Sequence, residues 1–470
     1  MISFLKNKTV ELSKNRVVVF TFVRMSQWII KKVQGGKFMT KEKSSGLTKE
    51  QKKVAMASFM GTTIEWYDFY LYGTAAALVF PLLFFPNLDP LVGTMAAFGS
   101  YAAGFIARPL GSMIFGHFGD RVGRKKMLTI SLLLMGVATT LMGVLPTYNS
   151  VGLLAPLLIS LLRIVQGFAV GGEWGSAVVM SVEHAPPNKR GLFGSFPQMG
   201  VPAGLLLSTL AFSIVSNSMS NEAFLAWGWR IPFLLSALLV IVGLYVRLKV
   251  SESPIFLEVA TKKQQEKNPV QTVLREQKKP LFLTIGMKLL QNAVFYIYTV
   301  FVLSYIATTL KLDNSVGLNA VMISSVIGLA TLPLWSHLSD KIGRKPVYLF
   351  GTIASTLFVF PFFWMMNTGS VLLITIGIII GLNILHDAVY GPQAVYFSEL
   401  FGTKVRLSGA SIGYQIGAII AGGFSPLIAT YLLAQFDGQS WPIGVYLSVL
   451  GVLSIISTIL ARETFRDSLT

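Results

Sequence analysis

A chain of 470 residues that is 53% hydrophobic and only 13% charged, with a mean hydropathy of +0.63, is too apolar for a soluble domain of any class, so a bilayer must be its solvent. The formal charge of +18 would suggest nucleic acid in a soluble protein, but here the location of the charges matters more than their sum, and no nucleic-acid partner is expected. Cysteine is absent, which excludes a disulfide framework, a thiolate metal site and a thiol nucleophile.

In chain order, residues 1–53 form a polar tail containing one apolar run, 17–30 (VVVFTFVRMSQWII), which is too short to span and is interrupted by Arg24. Two readings of it stay open: an interfacial helix, or a non-native extension over 1–38, because Met39 opens a stretch that reads like a complete short cytoplasmic leader. No small-residue cleavage motif follows the run. Twelve apolar stretches then follow, at 54–85, 91–116, 127–145, 151–182, 192–216, 231–249, 281–309, 316–336, 346–366, 371–398, 407–434 and 441–461. The expected architecture is an all-α membrane protein with twelve transmembrane helices in two six-helix bundles, 54–249 and 281–461. A cytoplasmic linker, 250–280, joins the bundles, and a tail of 462–470 follows them. Of the 39 Lys and Arg residues, all but Arg230, Lys311 and three within apolar runs fall in the tails and the even-to-odd loops. The positive-inside rule therefore puts both termini in the cytoplasm.

The two halves repeat each other. GHFGDRVGRK at 116–125 recurs as SHLSDKIGRK at 336–345, and Glu183 with Arg190 recurs as Glu399 with Arg406. Duplication in a multi-span membrane protein points first to a transporter.

With Arg247 and Lys249 at the end of the sixth run counted as loop charges, seven charges lie inside the apolar runs: Arg108, Arg163 and Lys288, with Glu65, Asp68, Glu173 and Asp387. Each ionised side chain at the bilayer centre costs about 2.5–3.5 kcal/mol or more, so together they imply a shared polar interior, expected as a cavity between the halves. Glu65 and Asp68 are three residues apart and can share a helical face. Two carboxylates there with little water do not both stay ionised, which makes them the leading proton-binding site, in competition with a static pair to Arg108 or Arg163. Arg163, followed by Gln166, offers five donors suited to a carboxylate and is assigned to both coupling and substrate. Arg108 precedes Pro109 near the cytoplasmic end, where it either touches substrate or snorkels to the membrane edge. Lys288, Gln291, Asn292 and Tyr296 form a polar stripe, and His386 with Asp387 interrupts the tenth run; these form the opposite wall of the expected cavity. Glycine-rich segments in the fifth and eleventh runs read as closely packed helices, from which Gln198, Tyr414 and Gln415 can face the cavity.

The sequence at 116–126 resembles the loop signature of the major facilitator superfamily, and Arg163-x-x-Gln166-Gly167 resembles its fourth-helix motif. GTTIEWYDFY at 61–70, GGEWG at 171–175, APPNKR at 185–190 and WGWRIPF at 227–233 narrow the resemblance to the metabolite:proton symporters, over 54–465. NILHD at 383–387, Tyr390 to Gln393 and SGASIGYQ at 408–415 look most like shikimate-type permeases, although Gln291 stands where such a permease would carry an acid.

The resemblance implies a proton-driven uptake symporter of the inner membrane, working by alternating access on a small organic acid such as shikimate or α-ketoglutarate. It also implies gating latches built from Gly116, Asp120, Arg121, Gly123, Arg124, Glu183 and Arg190, with Asp340, Gly343, Arg344, Glu399 and Arg406. The expected partners are a small anionic solute, protons and the lipid bilayer, with a monomer as the working unit. No catalytic residue, cofactor or metal site is expected: no nucleophile, phosphate-binding loop or HExxH spacing occurs. An osmolyte (proline/betaine) symporter and a non-transporting sensor are the alternatives.

Overall fold

The computed structural model describes residues 48–467, apart from 89, 250–251, 253–256, 259–260 and 262–267. The run at 17–30, the expected extension at 1–38 and nearly half of the linker lie outside the described residues.

Ten helices among the described residues are long and apolar enough to cross a membrane. They are α3 (Arg124–Val144), α4 (Leu154–Glu183), α5 (Arg190–Asn217), α6 (Arg230–Leu248), α7 (Lys278–Phe301), α8 (Ser315–Ile342), α9 (Arg344–Asn367), α10 (Val371–Leu400), α11 (Thr403–Gln435) and α12 (Trp441–Leu460). Ahead of them stand α1 (Lys49–Leu78) and α2 (Pro90–Val122), of 30 and 33 residues, which carry Glu65, Asp68 and Arg108. Helix α1 begins inside the stretch expected to be tail. A short helix, Pro269–Glu276, precedes α7.

The turns follow from local chemistry. Gly123 and Gly343 take φ of 124° and 110° between α2 and α3 and between α8 and α9, a backbone region in which side chains are strained. The freed N–H groups at the starts of α3 and α9 are capped from elsewhere in the chain: Glu252 accepts from Arg124 and Lys125, and Glu463 accepts from Arg344 and Lys345. A carboxylate is stabilising at a helix N-terminus, and the duplicated capping repeats the duplicated sequence.

Within the first bundle α1 packs on α5 and α2 on α4; across the halves α5 packs along α8 and α2 along α11. Glycine permits this closeness: a methyl added at Gly167 would lie 2.0 Å from the Gly104 carbonyl oxygen, and one at Gly204 would lie 2.6 Å from the Trp66 Cβ. Helix α10 widens to π winding over Ile380–His386, a local irregularity that recurs at functional sites in helices.

Candidate functional site

Three buried cations sit among aromatic rings. Arg163 on α4 is 1% exposed, donates to Gln166, and stands 4.5–4.6 Å from the ring centroids of Phe69, Tyr72 and Tyr101. Gln166 is fixed in turn by donating to Thr139 on α3 at 2.7 Å. Arg108, 3% exposed, stands 4.3 and 4.4 Å from the rings of Phe105 and Phe69, so it does not snorkel to the membrane edge. Lys288 on α7 is fully buried, donates to Gln291 at 2.6 Å and Gln393 at 3.1 Å, and lies 3.6 Å from the centre of the Tyr414 ring.

Among the described residues none of these three cations is in an ion pair. The acids are disposed differently from one another. Asp68 accepts from Ser236 on α6 at 2.6 Å, which turns it into the first bundle. Glu173 pairs with Arg247 on α6, a cation that the sequence assigns to the loop charges but that is 4% exposed. Asp387 pairs with His386 at 3.1 Å and accepts from Thr331 at 2.5 Å. Glu65 is left, buried within electrostatic range of Glu173, Arg108, Arg247 and Asp68 in its own half and of Tyr296, Tyr390 and Tyr414 in the other. The seven charges therefore do not share one cavity: Asp68 and Glu173 belong to contacts inside the first bundle.

Around Arg108 and Arg163 the buried polar atoms without a hydrogen-bond partner accumulate: Glu65 Oε2, Trp66 Nε1, Tyr70 OH, Arg108 Nε, and Arg163 Nε and Nη2. Native interiors satisfy nearly all such atoms, so a group of orphans facing two guanidinium groups marks a place built for a polar ligand or water. The other expected contacts are divided. Tyr296 meets Phe105 across the halves at 5.7 Å, Asn292 is taken up by donating to the Ala418 carbonyl, and Gln415 keeps an unpartnered Oε1. Trp174 on α4 stacks on Tyr414 of α11 at 3.6 Å and donates to Gln198, which donates to the Tyr390 carbonyl; this set closes the region between the halves.

At the face carrying the basic loops, two symmetric charge clusters join the halves. Glu183 binds Arg124 at 3.1 Å in its own half and Arg406 of the other half at 2.9 Å. Glu399 binds Arg344 at 3.3 Å and, across the halves, Arg190 at 3.7 Å. Asp120 accepts from the Ser408 N–H and hydroxyl at the start of α11, and Asp340 accepts from the N–H groups of Gly191 and Leu192 at the start of α5. Each acid thus sits at the N-terminus of a helix in the opposite half, where the helix dipole adds to the hydrogen bonds. Gly116 lies against Ser408, where an added methyl would come within 3.0 Å of its Cα, whereas Arg121 lies at the rim against His117.

Sequence reasoning missed Arg247, Ser236, Thr331, Gln393, Glu252 and Glu463. The last two had a signal, since each follows the final helix of its half at nearly the offset of the repeat.

The Major Facilitator Superfamily profile matches residues 59–422. The shikimate transporter of Escherichia coli K12 is 41% identical over 420 residues, covering 88% of this chain and 95% of that protein. The proline/betaine transporter of the same organism is 31% identical over 423 residues, covering 88% and 84%. Among solved structures, the proton:xylose symporter XylE bound to 6-bromo-6-deoxy-D-glucose superposes with a TM-score of 0.71 at 18% identity, over 89% of this chain and 98% of that one.

Proposed function

This chain belongs to the major facilitator superfamily and is a membrane transporter, and from that premise we propose that it takes up a small organic acid, of the class of shikimate or α-ketoglutarate, together with protons. The observation that carries this reading is the excess of positive charge at the centre. Arg108, Arg163 and Lys288 are buried with no ion-pair partner among the described residues, and Arg163 keeps two unpartnered nitrogens. Unpaired buried charge is expensive, and a carboxylate that enters supplies the missing counter-ion and accepts the guanidinium donors as a pair. The 41% identity with a shikimate transporter supports the same solute class.

The proposed cycle is alternating access. The positive-inside rule assigns the basic face to the cytoplasm of an inner-membrane protein, and with the two charge clusters joined the centre is shut off on that side. Substrate binding between the halves, followed by separation of the clusters, would open it. A single chain supplies both walls, so a monomer suffices. Glu65, within electrostatic range of Arg108 and of the tyrosines of the second half, remains a proposed proton carrier, while Asp68 acts from inside the bundle.

The relatives named for proline and betaine keep an osmolyte reading in view, since aromatic rings suit quaternary ammonium groups. Three cations beside those rings argue against it. The deciding measurement is uptake of labelled shikimate by proteoliposomes under an inward proton gradient, with and without uncoupler, against unlabelled α-ketoglutarate, protocatechuate, citrate and betaine. Uncoupler-sensitive accumulation blocked by the acids is expected. Competition by betaine alone would overturn the solute class, and indifference to the gradient would overturn the coupling.

A further inference from the structure

The second bundle contains a hydrogen-bonded chain whose donor directions are fixed by chemistry. Lysine has only donors to offer, so Gln291 turns its Oε1 to Lys288 Nζ at 2.6 Å. The Gln291 NH₂ then faces His386 Nε2 at 2.6 Å, which must accept. The proton of a neutral His386 therefore lies on Nδ1 and is donated to Asp387 Oδ1 at 3.1 Å, while Thr331 donates to Asp387 Oδ2 at 2.5 Å. Every link is satisfied in one sense only.

From this geometry we infer that His386 with Asp387 is a proton site, and that Gln291 is the switch through which a proton on His386 releases Lys288 to hold the carboxylate of the solute. The inference rests on the symport reading above and supplies its coupling step. One proton from water adds to the Nε2 lone pair of His386, and no other bond breaks. Two donors, His386 Nε2–H and the Gln291 NH₂, would then face each other. Rotation of the Gln291 amide moves the conflict from His386 to Lys288, because its Oε1 now accepts from His386 while its NH₂ turns to the Lys288 ammonium and drives it off. Lys288 loses an acceptor, keeps only Gln393, and gains from a substrate carboxylate what it lost from Gln291. Loss of the proton reverses each step, so proton and anion are taken up and released together.

The surroundings suit a site that titrates. His386 closes the π-wound segment of α10 and is held between Phe295 and Tyr390, at ring distances of 5.3 and 5.2 Å. A narrow cleft between α5, α7, α8 and α10 reaches the pair and is lined by Pro202, Ser324 and Asn383; its space for water centres is about 30 Å³, enough to admit a water that brings the proton. The groups facing the pair are Lys288 through Gln291 on α7, Ser324 and Thr331 on α8, Asn383 and Tyr390 on α10, and apolar Val201 and Leu205 on α5. Among these described neighbours Lys288 is the only charged side chain, so the proton on His386 is felt chiefly there.

The test combines a spectrum with transport. With ¹⁵N-histidine protein in liposomes, the His386 signal is identified among four histidines by its loss in His386→Gln. Its neutral form should be the Nδ1–H tautomer, and acidification should make the ring doubly protonated. An Nε2–H tautomer, or a ring that stays neutral in acid, overturns the proposal. In proteoliposomes with labelled shikimate, wild-type KM should fall as the outside is acidified, and the KM of Gln291→Leu, whatever its absolute value, should lose that dependence. His386→Gln should lose accumulation but retain exchange of labelled for unlabelled solute. A pH-dependent KM that survives in Gln291→Leu, or loss of exchange together with accumulation in folded His386→Gln, also overturns it. Wild-type uptake that ignores the gradient would instead remove the symport reading, and the spectrum would still judge the tautomer.

Discussion

At the scale of single residues, burial separates two kinds of intramembrane charge. Arg247 and Glu173 neutralise each other inside the first bundle, and Ser131 adds a hydrogen bond to Glu173 at 2.8 Å. That completeness describes a structural pair. Glu173→Gln should destabilise the protein by about 3–5 kcal/mol by leaving Arg247 buried without a counter-charge, whereas leucine at both positions should recover most of the loss. Thermal unfolding in detergent checks both outcomes, and an undiminished melting temperature in Glu173→Gln would show the pair to be idle. Arg163 and Lys288 were recognisable from the sequence because they interrupt long apolar runs. Arg247 was not, because a cation one residue short of a helix end reads as a loop residue until α6 is known to face α4. Glu65 and Asp68 show a finer limit. A spacing of three leaves them about 60° apart around a helix, enough for one to face the halves' interface and the other Ser236.

At the scale of helices, the position of the arginines depends on how closely backbones approach. Gly104 lies under Arg163, where an added methyl would come within 2.7 Å of Nε, and Gly171 lies against the Arg108 carbonyl at 2.1 Å by the same measure. These glycines let α2 and α4 touch and thereby hold both guanidinium groups beside the Phe69 ring. Gly167→Val should push the two helices apart and abolish uptake. The conservative Gly104→Ala, which meets mainly the flexible Arg163 side chain, should raise KM more than it lowers protein yield. Uptake kinetics set against the amount of folded protein check the pair, and normal KM in Gly104→Ala would count against the Arg163 assignment. The sequence marked glycines of the fifth and eleventh runs as packing positions, but not these glycines of α2 and α4, nor the helix each one meets.

For the whole molecule, the halves are joined by charge clusters that neither half owns, and in the proposed cycle these set the balance between closed and open states. The segment after α12 belongs to one of them: Thr464 is fully buried and donates to Glu399 at 2.7 Å, and the Asp467 carbonyl accepts from Arg190 of the opposite half at 2.7 Å. Removing Arg462 onward also takes away the Glu463 cap of α9. The truncated chain should open more readily on the basic face. The absence of cysteine makes this measurable, since Ser336→Cys, a fully buried position on the α5–α8 seam, would carry the only thiol. Its labelling from that face should be faster after truncation, and an unchanged rate would show that the tail carries no share of the closure.

The sequence by itself determined the solvent, the all-helical membrane fold and the duplication, because hydropathy, charge placement and internal repeats are local properties that survive without knowledge of packing. Only the tertiary structure decided which polar groups meet. Whether Asp68 faces a bundle or a cavity, whether Arg247 is paired, and whether His386, Gln291 and Lys288 form one chain all depend on the rotation and contact of helices distant in sequence. Those rotations are settled by the packing of whole helices against one another, glycine against backbone and ring against ring.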